Sequence, residues 1–231
     1  MITKRAEPRI SVNKLGEYII SKAARQRSIL YGQKFPPDYV TPFYEDAGEA
    51  ISLFIAGAME RPSILESRIK LLEQAPANTT WQQRRAIGNI EAIETFMGMI
   101  DALDLSGVEC RLGSNSPPRL SIRNVEVSVR PEVILSRPAA KGGAAIGALK
   151  LHFPKTNPLS EDAAGYISAI ATRFCDDFLS DDGAPDSRLC FVVDLASERV
   201  YPGVKSVRQR LKDAEAACEQ IFNLWDTIKE E

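Results

Sequence analysis

Histidine is almost absent from this chain, and cysteine is sparse and scattered. A single histidine, His152, stands among 231 residues. No histidine-based metal cluster can be built from it, and a nucleophile–histidine–acid triad would have to use that one ring. No serine or cysteine motif accompanies it. The four cysteines, Cys110, Cys175, Cys190 and Cys218, lie far apart and form no CxxC pair. This argues against zinc or iron–sulfur sites and for buried thiols in a reducing cytosol. Long hydrophobic runs are lacking too: no stretch reaches membrane-spanning length, and the opening MITKRAEPRI has no signal-peptide core. A cytoplasmic protein with no membrane partner is the expectation. Nor does one sign of charge dominate, since 29 Lys and Arg face 31 Asp and Glu for a net charge of -2. Any nucleic-acid binding must then come from a local basic patch. The glycine pair Gly142-Gly143 lacks the GxxxxGK spacing of a phosphate loop and reads as a hairpin tip.

What is present divides at Gly107. The first hundred residues carry helical spacing. Ser11 is a candidate N-cap for a helix to about Gly32, with Leu15, Ile19 and Ala23 on one face. After a break at Pro36-Pro37, Phe43, Ala47, Ile51, Phe54 and Ala58 mark a second helix. Pro62 starts a short one that stops near Pro76. Thr79 or Thr80 then caps a long helix with the stripe Ile87, Ile90, Phe96, Ile100 and Leu103. Beyond Gly107 the segments Val108–Leu112, Arg119–Ile122, Val125–Leu135 and Ala144–Phe153 are short, β-branched and bounded by turn residues. A helix begins at Ser160, with Ala163, Ile167, Ile170, Phe174 and Phe178 inward. The strand Arg188–Leu195 follows, with Glu198–Tyr201 as its hairpin partner. A last helix, Lys205 to about Lys229, presents Leu211, Cys218, Ile221, Phe222 and Trp225. We expect one α/β domain: a helical portion over 1–106 and a mixed-sheet core over 107–231.

The chemistry-bearing residues lie on the two central strands. Glu132 is on the first and Lys150 on the second, and strand alternation puts Ile146, Ala148, Lys150 and His152 on one face against Leu149, Leu151 and Phe153 on the other. Lysine is rarely buried without a partner. A carboxylate and a lysine on adjoining strands form the centre of a metal-assisted phosphodiester-cleaving site.

This order of elements, with Glu132, then Ala148-Leu149-Lys150, then Asp162 to Tyr166, resembles the PD-(D/E)XK nuclease superfamily. Within it the RecB-like branch, which includes the exonucleases of CRISPR adaptation, is the nearest in pattern. The opening ISVNKLGEY, Ile10 to Tyr18, is similar to the first helix of that branch. The resemblance implies a restriction-endonuclease-like mixed sheet flanked by helices, and DNA as the molecule acted on or bound. It implies Mg or Mn held by Glu132 and an acid such as Glu49, with Glu132 and Lys150 as the catalytic pair. It also implies supporting roles for Tyr166 and Asp162, and a setting in bacterial antiviral defence. The chain departs from the pattern at Ala148, where the motif needs a second carboxylate, and magnesium wants several oxygen ligands. Glu49, Glu161 or Asp162 are the substitutes within reach of the pattern.

Each residue also has a structural reading. Glu132 after Pro131 can be a surface acid at a strand bend, and a salt bridge to it would satisfy Lys150. Tyr166 can be core, and Glu45 with Glu49 a solvated helix face. Lys205, Arg208 and Lys212 fall along one side of the last helix, as phosphate contacts or as a solvated row. Two functions follow: a metal-dependent nuclease, or a catalytically inactive nuclease-fold subunit that binds nucleic acid or a protein partner.

Overall fold

The computed structural model describes residues 4–36, 43–140 and 142–230; Pro37, the second proline of the expected break, lies outside them. The chain is mixed α/β. Ser11 does cap the first helix, its hydroxyl accepting from the Lys14 amide at 3.3 Å. The helix is not continuous to Gly32, however. It stops after α1 (Val12–Ile20) and resumes as α2 (Ala23–Lys34). Ser21 is extended there, with its hydroxyl donating to the Glu17 carbonyl at 2.7 Å and its amide to Tyr18. A serine that satisfies the last carbonyls of a helix competes with its continuation. The break lets α1 press on the helix α6 (Glu161–Leu179), where Gly16 leaves room: a Cβ would lie 2.8 Å from Ile167.

A strand hides in the expected helical portion. β1 (Arg9–Ser11) runs parallel to β4 (Val125–Ser128), which also pairs antiparallel with β3 (Leu120–Ile122). The expected strand Val125–Leu135 is therefore two strands in two sheets, β4 and then β5 (Val133–Pro138). Pro131 sits in the break; it has no N–H to donate to a ladder, so the chain changes sheets there.

The larger sheet has the order β2–β5–β6–β8–β9, with β7 (Ala184–Pro185) on the edge of β6. β2 (Glu109–Leu112), β5 and β6 (Ala144–His152) are successive antiparallel neighbours. The chain then crosses over through α6, and β8 (Phe191–Asp194) lies parallel to β6, with β9 (Arg199–Tyr201) antiparallel outside it. Gly147 is obligatory in β6, because a Cβ there would stand 2.3 Å from that of Leu189.

Helices cover both faces. On one, Val133, Leu135, Leu149 and Leu151 pack with α3 (Glu45–Ala56), α4 (Ser63–Gln74) and α5 (Thr80–Met99) through Ile51, Phe54, Leu65 and Phe96. On the other, Ile134, Ile146 and Ala148 meet Ala171, Cys175 and Cys190. A further core joins α1, α2, α6, α7 (Val207–Trp225) and the small sheet. Thr79 caps α5 in a capping box with Gln82. Ile87, Phe178 and Phe222, expected to face inward, are exposed at 56%, 38% and 44%. Ile87 stands opposite the α5 face that holds Gly88, Ala92 and Phe96, so one step along the helix separates core from solvent.

Candidate functional site

Glu132 enters β5 just after Pro131. Its backbone N–H donates to Leu149 at 3.0 Å and its carbonyl accepts from Gly113. This aligns its side chain with Lys150 on β6. The ammonium lies 2.5 Å from Oε1, and the Leu151 amide donates to Oε2 at 2.8 Å. The two side chains are 18% and 12% exposed, so the pair is largely but not wholly removed from water. Both carboxylate oxygens are thus occupied by the protein's own donors.

The pair borders a cavity of about 720 Å³. Arg130, Glu132 and Lys150 line one side; Tyr44, Asp46, Glu49 and Phe153 line the α3 side, and Asn13 of α1 contributes as well. The α3 end is fixed by Asn89 of α5, a fully buried amide. Its Oδ1 accepts from the Ala47 amide at 2.8 Å, and its Nδ2 donates to the Phe43 and Arg85 carbonyls at 2.6 and 2.8 Å. Asn89 therefore supplies the cap that Tyr44 does not.

The acids of α3 are held by arginines. Arg68 bonds Asp46 at 3.0 Å and Glu49 at 2.8 Å, and Arg85 reaches Asp46 at 2.6 Å and Glu45 at 3.5 Å. Glu49 thus shares the cavity with Glu132, but its carboxylate is turned to Arg68. Ala148 is 1% exposed among Ile134, Ile146, Cys175 and Cys190, under α6, and takes no part in the cavity lining. Among the described residues no three His, Cys, Asp or Glu side chains are placed to hold a metal ion. The donor set at Glu132 amounts to one carboxylate with both oxygens already bonded. With Glu49 paired to Arg68, and no group of three ligands among the described residues, this falls short of the oxygen set that the resemblance implies for Mg or Mn.

Tyr166 and Asp162 lie elsewhere, on the seam between α6 and α7. The Tyr166 hydroxyl donates to Asp213 at 3.1 Å, and Arg210 covers its ring at 4.7 Å while bonding Asp162 at 3.0 Å. Burial, with Asp213 beside it, raises the Tyr166 phenol above its usual value. Neither residue touches the cavity, so the structure does not bring them to Glu132. The last helix starts at Val207 and not at Lys205, so Arg208 and Lys212 are exposed in its first two turns while Lys205 is exposed in the segment before it, with no ion pair among the described residues. Arg25 and Arg85 are engaged by Glu17 and by Asp46.

His152 is 4% exposed. Its Nε2 lies 2.9 Å from the Asn157 carbonyl, which can only accept, so Nε2 carries the hydrogen and Nδ1 meets the Asn13 amide at 3.4 Å. Burial pushes its pKa down. No nucleophile is bonded to it. Asp194, which the sequence did not single out, is fully buried; it accepts from Leu159, Ala196 and Ser197 and organises the turn after β8.

The exposed signal for these features was thin. Arg68 is separated from Asp46 and Glu49 by a helix and a loop, and nothing local announces Asn89 as a cap. No family model matches the chain, and no curated protein matches it either. No helix among the described residues is long and apolar enough to cross a membrane.

Proposed function

We propose that this is a nuclease-fold protein of PD-(D/E)XK type that binds nucleic acid through the Glu132–Lys150 cavity without cutting it. Three features support the fold assignment. Three successive antiparallel strands, a crossover helix and a fourth strand parallel to the third form the order of a restriction-endonuclease-like core. The acid and the lysine come from the second and third of those strands, and both border one cavity.

A single observation carries the non-catalytic reading. Glu132 is spent on Lys150 and the Leu151 amide, while the companion position, Ala148, is packed in an apolar cluster. The phosphodiester chemistry of such folds depends on a metal that polarises the phosphate and activates water, and these residues leave it no seat. Arg130, exposed at the cavity and bonded among the described residues to Asn115 at 2.7 Å, offers a guanidinium for a phosphate. Lys205, Arg208 and Lys212 extend the basic surface available to a backbone.

The test is incubation of the full chain with labelled plasmid and oligonucleotides in Mg²⁺ or Mn²⁺, beside Lys150→Ala and Arg130→Ala, with binding read by anisotropy. The expected result is salt-sensitive binding, no cleavage, and weaker binding by Arg130→Ala. Metal-dependent cleavage that Lys150→Ala abolishes would replace this reading with that of an active nuclease. Absence of any binding would remove nucleic acid altogether.

A further inference from the structure

The α3 side of the cavity is an aromatic wall with an architecture of its own. Tyr44 and Phe153 stack at 5.1 Å with planes 13° apart, and Phe43 meets Tyr44 edge-on at 4.9 Å. All three line the cavity and all are half-buried. Two glycines seat them. A Cβ on Gly88 of α5 would stand 2.6 Å from the Phe43 ring, and Gly48 of α3 sits under Phe153, where a Cβ would be at 3.7 Å. The Asn89 amide holds the Phe43 carbonyl from behind. These rings come from two places in the chain, and while Tyr44 and Phe153 pack against the helical core, all three line the cavity.

Charge at the cavity is close to balance. Glu45, Asp46, Glu49 and Glu132 are matched by Arg68, Arg85, Lys150 and Arg130, the first three of these cations being paired with the acids. Arg130 alone has no carboxylate among its described partners. A ligand is therefore offered a ring surface and about one free cation, instead of the cation-lined trough that tracks a duplex backbone.

We infer that the cavity takes an unpaired nucleotide of a single strand, its base against the Tyr44–Phe153 wall and its phosphate toward Arg130. This rests on the nucleic-acid reading above. A base within a duplex is already stacked on both faces and its edges are paired, so it has no ring surface to offer the wall. An unpaired base does, and base–aromatic stacking is insensitive to sequence because every base has a π-face. At the cavity itself affinity then comes mainly from stacking, and the cavity's share of the salt dependence is that of about one or two phosphate contacts.

The experiment compares a short fluorescein-labelled single strand with the blunt duplex of the same sequence on the full chain. It adds the variants Tyr44→Leu, Phe153→Leu and Tyr44→Phe, each checked for folding by circular dichroism. The single strand is expected to bind about tenfold or more tightly than the duplex. Each leucine variant should weaken single-strand binding about tenfold, with Tyr44→Phe close to the parent protein. A 5-bromouracil strand should photocrosslink to peptides containing Tyr44 or Phe153, a readout on the unaltered protein that stands if a leucine variant fails to fold. Equal binding of strand and duplex, or crosslinks confined to α7, overturns this inference while leaving nucleic-acid binding in place. Binding of neither overturns both, and capture of an aromatic peptide in place of either oligonucleotide assigns the wall to a protein ligand instead.

Discussion

Lys150 and Glu132 satisfy each other in a site with little water, and this sets what their removal costs. Glu132→Ala leaves an ammonium 12% exposed with no carboxylate, and also orphans the Leu151 amide. Lys150→Met removes the charge but leaves the acid with its amide bond. Removing one partner of a buried ion pair is generally worse than replacing both with apolar side chains of similar volume. Glu132→Ala is therefore expected to lose about 2–4 kcal/mol by urea denaturation, and Lys150→Met somewhat less because Glu132 keeps its amide bond, while the double variant loses less than their sum; additive losses would mean the pair is not coupled. His152 makes a second residue-scale prediction. Burial holds its pKa below 6.5, aided by Lys14 and Lys150 and opposed by Asp194 and the Asn157 hydrogen bond. Below pH 6.5 the unfolded chain takes up a proton that the folded chain refuses, so the unfolded state gains. Stability should fall as pH drops below about 6.5 until the depressed folded value is reached. Glu17 adds to the fall at lower pH. Although burial works against its charge, hydrogen bonds from Lys14 and Arg25 hold its pKa below 4.5, so its contribution is lost as pH falls through that lowered value. The urea midpoint of His152→Asn, followed from about pH 7 to about pH 5, should decline less than the parent's; parallel curves would dismiss the histidine as the source. At this scale the sequence was partly legible: it set Glu132 and Lys150 on adjoining strands, and alternation grouped Lys150 with Ala148 and His152, whereas Arg68 and Asn89 act across long separations that no local pattern encodes.

Helix α3 illustrates how one element depends on another. Its N-terminus has no cap of its own, since Tyr44 makes no side-chain cap bond, and Asn89 of α5 supplies it. Asn89→Ala removes three hydrogen bonds from a fully buried position. A loss of about 2–3 kcal/mol is expected. Thr79→Ala at the exposed capping box of α5 should cost only about 1 kcal/mol. Thermal melts of the two variants give the order; the reverse order would mean that α3 is held by its apolar face alone. The helices with a full helical period, α3 to α7, were readable because that signal is local, and Thr79 and Ser160 gave α5 and α6 caps of their own. β1 was not, because three residues carry almost no period and their partner, β4, lies more than a hundred positions away. The division of β4 from β5 did have a local sign in Pro131, but the alternating Val125, Val127 and Val129 and the apolar Val133-Ile134-Leu135 read together as one strand.

Across the whole molecule, the sheet, the helical portion and α1 all contribute residues to the cavity. Glu132 and Lys150 come from β5 and β6, the acids and rings from α3 and the loop before it, and Asn13 from α1. A nuclease of this architecture would need position 148 to reach the same space. Here that position shares the sheet face of Lys150 but not its opening: Ala148 pairs with Ile134 on β5 and packs under α6 against Cys175 and Cys190. The sheet has thus been closed over by its own helix where the second ligand would stand, which single-sequence reading registers only as an alanine. Ala148→Asp is accordingly expected to place a carboxylate among apolar neighbours with no hydrogen-bond donor set, at a cost of about 3 kcal/mol or more. It should not create magnesium binding. Thermal melts of Ala148→Asp with and without Mg²⁺ decide the matter. A lowered midpoint indifferent to the ion means the pseudo-site is part of the core, whereas a midpoint that rises with Mg²⁺, accompanied by cleavage, means that a single substitution separates this chain from an active nuclease.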